Sequence, residues 1–253
     1  MIRKIILTFI LLPFLVHSSF SQVNVKDSAI VVPLIYATYA YQRPGGDLAK
    51  RFYDNSSIGG GFMLKTRSNW LIAAEGNYIF GSNIKNGDSL LKNISTPDGY
   101  IINANGYFSD IGFGETGFNV LAKFGKLFPV ISPNPNSGPM IMAGIGFIQD
   151  KIRIHDQDNI SPQLNGDYKK GYDRLNNGLV VCGDIGYMLL SDSRLINFYV
   201  GFEFMQTWTT YRRERNFDTG KKDNTSLSSQ FFGLKVKWFV PMYKRKPKDF
   251  YLY

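Results

Sequence analysis

The chain has 253 residues, with 29 Lys and Arg against 20 Asp and Glu, a formal net charge of +9, and a single cysteine, Cys182. One cysteine excludes an internal disulfide, and beyond the N-terminal segment no apolar run approaches the roughly 18 residues of a membrane-crossing helix. Aromatic residues make up 15%, glycines number 25 and charged residues only 19%, a composition that points to strands, in a membrane barrel or in one soluble all-β domain.

The chain opens Met1-Ile2-Arg3-Lys4, continues with an apolar run over 5–16, and reaches small residues at Ser18, Ser19 and Ser21. A basic start, a short apolar stretch and small residues describe an export signal, with cleavage expected after Ser21. Residues 1–21 hold two basic and no acidic side chains, so the mature charge is 27 − 20 = +7. Export argues against nucleic acid as the partner of this charge and favours anionic lipid headgroups. Residues 22–28 form a polar leader.

Eight strands follow. The first, 29–41, is apolar on both parities, and Pro33 within it predicts a bulge or an early edge. After a loop over 42–55, the second strand, 56–66, sets Phe62 and Leu64 against Gly59, Gly61, Met63 and Lys65; the Gly59-Gly60-Gly61 run reads as relief of crowding within a strand. The third, 70–81, sets Trp70, Ile72, Tyr78 and Phe80 against Glu75 and Asn77. Residues 82–112 are rich in turn formers, with a small hairpin expected over 100–107. The fourth strand, 113–127, sets Phe118, Val120 and Phe124 against Lys123. The fifth, 139–151, is followed by a charged loop over 152–177 that contains His155. The sixth, 178–190, turns Cys182 and Asp184 to one face.

The last pair is the clearest. Ile196, Phe198, Val200, Phe202 and Phe204 alternate with Tyr199, Gly201 and Glu203; Phe232, Leu234, Val236, Trp238 and Val240 alternate with Gly233, Lys235 and Lys237. Period-two alternation over this length marks strands with one apolar and one polar face. The seven connections contain 14, 3, 31, 11, 26, 4 and 16 residues, long and short in strict alternation. This predicts an all-β, eight-stranded antiparallel up-and-down transmembrane β-barrel over 29–240, with short periplasmic turns and long extracellular loops. Trp70, Tyr187 and Trp238 are expected in one aromatic girdle, and Tyr78, Phe80, Trp208 and Tyr211 in the other.

With the apolar parity toward lipid, the lumen receives Lys65, Glu75, Lys123, Asp184, Glu203, Lys235 and Lys237. An eight-stranded barrel holds little more than side chains, so the expectation is a salt-bridged, plugged interior; a narrow channel or transporter is the alternative. No catalytic, cofactor or metal site is expected. His155 lacks a marked partner, which counts against a lipid-modifying enzyme. The basic loop residues Arg212, Arg213, Arg215, Lys221 and Lys222 suit contact with lipopolysaccharide phosphates, the alternative being a solvated charged loop. Residues 241–253 form a periplasmic tail in which Lys244, Arg245, Lys246, Lys248, Phe250, Tyr251 and Tyr253 read as a segment that docks on an outer-membrane or periplasmic protein, or else packs on its own barrel rim or the inner-leaflet interface.

Phe231-x-Gly233-x-x-Val236-x-Trp238 resembles the assembly signal in the last strand of outer-membrane barrels. With Phe20-Ser21-Gln22, the eight-strand layout and the aromatic terminus Phe250-Tyr251-Leu252-Tyr253, the chain resembles the small outer-membrane barrels of Bacteroidota, within a broader OmpA/OmpX-like group. That resemblance implies structural, adhesive or membrane-integrity roles without a cofactor. It also permits an accessory place in a larger outer-membrane machine, for secretion or barrel assembly.

Overall fold

The computed structural model describes residues 28–85, 87–156, 160–191 and 196–242. The expected export signal and most of the tail lie outside these. Among the described residues ten strands form: β1 (Val32–Gly46), β2 (Asn55–Lys65), β3 (Trp70–Gly81), β4 (Ile101–Ile102), β5 (Phe108–Ser109), β6 (Ile111–Leu127), β7 (Gly138–Asp156), β8 (Asn176–Leu190), β9 (Asn197–Tyr211) and β10 (Ser226–Pro241). Eight close into an antiparallel barrel in the order β1-β10-β9-β8-β7-β6-β3-β2; β4 and β5 pair only with each other.

Every barrel strand pairs with its neighbours in sequence, and β1 closes on β10. From Thr38, the register passes through Gly59, Asn77, Asn119, Ile148, Gly178 and Thr209 to Leu227. Thr38 itself pairs with Lys237 on β10, so the ladder is staggered by 237 − 227 = 10 residues. Such a stagger tilts the strands and brings inward side chains from different strands to one level.

The outer wall is apolar. Phe202 is 64% exposed, and Phe232, Leu234, Val236 and Trp238 on β10 are all exposed. Such a continuous apolar band is favourable against hydrocarbon and unfavourable against water. Among the described residues no helix is long and apolar enough to cross a membrane, which leaves crossing by strands untouched. β1 resolves its ambiguous pattern. Leu34, Tyr36, Thr38, Ala40 and Gln42 face inward, and Ile35, Tyr39 and Tyr41 face outward. Pro33 lies at the second position of β1, where the ladder to β2 runs unbroken through Pro33 and Leu64.

Three expectations change. β1 extends through Pro44 to Gly46, shortening the first loop to 47–54. β7 extends to Asp156, so His155 stands on a strand with its side exposed. Its alternation inverts above the apolar band: Lys151, Arg153 and His155 point to the outside, Ile152 and Ile154 to the inside. Tyr211 shares the inward parity of Thr209 and therefore does not join the girdle of Tyr78, Phe80 and Trp208. The small hairpin of the second long loop forms as β4 and β5. Its turn is closed by Gly106, whose φ of +81° lies in the left-handed region that favours glycine.

Candidate functional site: the filled lumen and the outer loops

Six of the seven lumen charges meet. Lys123 Nζ lies 3.3 Å from Glu75 Oε1, 3.1 Å from Asp184 Oδ2 and 3.2 Å from Glu203 Oε1. Lys235 Nζ is 2.5 Å from both Glu75 Oε1 and Glu203 Oε1. Lys237 Nζ is 2.7 Å from Asp184 Oδ2 and 3.3 Å from Glu75 Oε2. Three lysines and three carboxylates thus form one neutral cluster drawn from β3, β6, β8, β9 and β10. All six side chains are buried. Neutral donors complete it: Tyr36 Oη donates to Glu75 Oε2 at 3.0 Å, Asn77 Nδ2 to Glu75 Oε1 at 3.0 Å, and Gln42 Nε2 to Glu203 Oε2 at 3.1 Å. The Lys237 ammonium also sits 5.4 Å and 5.3 Å from the ring centres of Tyr36 and Tyr199.

Lys65 does not join this cluster. Its ammonium faces Asn136 Oδ1 at 2.8 Å and the carbonyls of Ile30 and Thr66 at 3.3 Å and 3.4 Å. Asn136, on the 128–137 turn, folds under the short-turn end of the barrel and also accepts the Ile30 N–H at 2.9 Å. Lys65 sits at the end of β2, beyond the level of the carboxylates. Sequence parity told which way it points but not how far along the lumen it lies.

On each strand that carries a cluster charge, the order of layers is the same. Toward the short turns lies an apolar layer that includes Met63, Leu71, Met188, Tyr199 and Phe239. Toward the long loops lies another that includes Ile79, Leu121, Val180, Met205 and Phe231. The second layer continues into the loops, where Leu48, Phe52, Leu90, Leu91, Leu164 and Tyr172 pack over the mouth. Cys182 is buried in this layer. Apolar walls on both sides exclude water from the charges and strengthen their mutual attraction.

The glycine run on β2 serves the lumen. A Cβ on Gly61 would lie 2.6 Å from Tyr36 Oη and Cζ, and one on Gly59 would lie 2.4 Å from Asn77 Oδ1. Their bare backbones leave room for the two side chains that donate to Glu75.

The basic loop is partly occupied by internal partners. Arg213 Nε donates to Asp173 Oδ1 at 2.8 Å, and its Nη2 reaches Asp173 Oδ2. This pairing holds the Arg213 guanidinium above its usual range. Arg212 Nε donates to Asn177 Oδ1, and Arg215 Nε to the Gly220 carbonyl at 3.0 Å. Lys221 and Lys222 are on the same loop, 212–225; Lys221 is exposed. Between the loops an outward-opening cavity of about 310 Å³ is lined by Lys50, Arg51, Lys85, Arg174 and Tyr211, among others. Backbone pairing holds two of these together, the Lys85 N–H donating to the Arg51 carbonyl at 2.6 Å. No group of three His, Cys, Asp or Glu able to hold a metal occurs among the described residues. The proposed docking residues of the tail, from Lys244 to Tyr253, lie outside them.

No family model and no curated protein matches the chain. Among solved structures, it is similar to Ail, the attachment invasion locus protein of Yersinia pestis, in complex with the heparin analogue sucrose octasulfate. Identity is 9%, the TM-score is 0.45, and 83% of this chain and 99% of that one are covered. It is also similar to Neisserial surface protein A, at 10% identity and a TM-score of 0.38 over 81% and 96% of the two chains. The outer membrane protein AlkL, solved in lipid bilayers, gives 8% identity and a TM-score of 0.42 over 92% and 100%. The fold assigned here rests on the closed register of the eight strands themselves.

Proposed function

We propose that this chain is a non-enzymatic, integral outer-membrane barrel, with 1–21 as its export signal, the short turns toward the periplasm and the long loops outward. The observation that carries the reading is an apolar outer wall around a lumen filled by a neutral six-charge cluster. A wall of that kind suits lipid, and a filled lumen moves the working surface to the two ends of the barrel. In this reading Arg215, Lys221 and Lys222, with Arg212 and Arg213 behind them, meet the phosphates of lipopolysaccharide. The tail, through Lys244, Arg245, Lys246, Lys248, Phe250, Tyr251 and Tyr253, engages an outer-membrane or periplasmic protein. A subunit role in a larger complex, as among small barrels of Bacteroidota, belongs to the same reading.

Affinity purification from native outer membranes, with and without residues 244–253, tests the tail. A protein that co-purifies with the full chain and is lost on truncation supports a subunit role; a chain that purifies alone in both forms contradicts it. Arg215, Lys221 and Lys222 to glutamine, read by outer-membrane permeability, tests the lipid contact. Unchanged permeability contradicts it.

A further inference from the structure

Above the ion cluster the inward face of the barrel carries Glu115 and Asp150, with Asp156 further out at the end of β7, where it accepts the Ser161 N–H. Glu115 and Asp150 are 0% and 2% exposed. They lie on the adjacent strands β6 and β7 as diagonal neighbours, Glu115 opposite Ile152 and Asp150 opposite Gly117. Their Cβ atoms are therefore about 7–8 Å apart or less, within reach of one bound ion. Their hydrogen bonds come from amides. Asn55 Nδ2 donates to Glu115 Oε2 at 2.7 Å, and Asn176 Nδ2 to Asp150 Oδ1 at 2.5 Å. Arg51 stands one residue further off, donating to Asn176 Oδ1 at 3.4 Å and to Tyr211 Oη. It lines the outer cavity and contacts neither carboxylate directly.

The second observation is what these groups leave unused. Glu115 Oε1, Asp150 Oδ2 and Asn55 Oδ1 have no hydrogen-bond partner among the described residues, and Asn55 is 2% exposed. The Asn55 amide is tied to Glu115 through its nitrogen, which keeps its oxygen at the same place. Gln42, the register partner of Asn55, is also buried, with Oε1 unpartnered. Every orphan here is an oxygen acceptor. Buried carboxylates without a contacting cation are costly, and buried acceptors without donors add to that cost.

We propose that Glu115, Asp150 and Asn55 form a calcium site inside the outer mouth of the barrel. Two carboxylates and amide oxygens in flexible geometry are the ligands calcium takes, with water completing its shell. The absence of nitrogen and sulfur donors disfavours transition metals, and magnesium demands a stricter octahedron. The site lies above the apolar band. The outward residues at this level, Thr116, Gln149 and Lys151, are polar rather than part of the apolar band. The cavity between the loops also reaches Ile152 and Tyr211, the register partners of Glu115 and Asn176.

The test is thermal unfolding of the full refolded chain in detergent, in calcium chloride against chelator, at one pH and ionic strength. Calcium is expected to raise the unfolding midpoint of the wild type by several degrees. Glu115→Gln with Asp150→Asn is expected to abolish that response while leaving the barrel folded. The surface change Asp98→Asn, as control, is expected to keep it. A wild type indifferent to calcium overturns the proposal, as does a double variant that retains the full response. Equal responses to calcium and magnesium likewise overturn it. A midpoint that follows pH but not calcium overturns it in favour of protonated carboxyls. If the double variant does not fold, terbium luminescence sensitised through Tyr211 in the wild type replaces it as the readout. No calcium-displaceable signal then overturns the proposal.

Discussion

Asp184 on β8 and Glu203 on β9 are direct register partners, two inward carboxylates side by side in the middle of the barrel. Like charges opposite each other weaken a sheet. Lys123 resolves the conflict from across the lumen by contacting both and Glu75 as well. Lys123→Met leaves three carboxylates with two lysines. It is expected to destabilise the barrel by about 3–5 kcal/mol, the cost of stranding a buried charge. Urea titration followed by the gel mobility of the folded form measures this. Loss below about 1 kcal/mol contradicts the role given to Lys123.

Gly61 is expected to be intolerant of a methyl group for a reason local to the lumen. The added Cβ collides with Tyr36 and also lies 2.4 Å from the Ala74 carbonyl, so Gly61→Ala must displace the Tyr36–Glu75 hydrogen bond. Overpacking of this kind costs about 1–3 kcal/mol. Combining it with Tyr36→Leu relieves part of the ring contact, and the two changes should be non-additive in the same urea titration. Strict additivity contradicts the contact.

Asp47, in the first outer loop, accepts hydrogen bonds from Lys50 Nζ at 2.8 Å and from the Ser228 N–H at 3.0 Å. The lysine contact, and then the backbone N–H, hold its carboxyl below the usual aspartate range. A lowered carboxyl pKa contributes stability that is present above the unfolded value and is lost as pH falls through the folded one. The anchoring of this loop to β10 should therefore persist through neutral pH and weaken only on acidification below the ordinary aspartate range. The amide resonance of Ser228 should titrate at a pH lower than a free aspartate, and Asp47→Asn should remove the titration. A midpoint at or above the free-aspartate value contradicts the anchor.

Much of the barrel was legible because one physical rule governs most of it. Where lipid-facing and lumen-facing positions alternate, Phe232, Leu234, Val236 and Trp238 declare their face without help from the rest of the chain. The rule fails where its environment changes. On β7 it inverts above the apolar band, so the strand end around Arg153 and His155 reads as loop. On β1 Tyr36 faces inward although apolar in appearance, because its hydroxyl has Glu75 as partner and its ring has the space above Gly61. Parity gives direction but not height, which is why Lys65 separates from the other charges. Asn136 and Asn55 act in the lumen from a turn and a strand end, and Arg51 reaches Asn176 from the first outer loop, and no periodicity marks them. Glu115 and Asp150 follow the alternation, but at their level the outward residues Thr116, Gln149 and Lys151 are polar too, so their inward parity does not stand out.

The Glu75, Lys123, Asp184, Glu203, Lys235 and Lys237 cluster fills the lumen between two apolar layers. Single-channel recording on the purified chain in planar bilayers tests it most directly. No steady conductance is expected at neutral pH. Stable, reproducible current steps that change in size or ion selectivity on substituting Lys123 or Asp184 would contradict it.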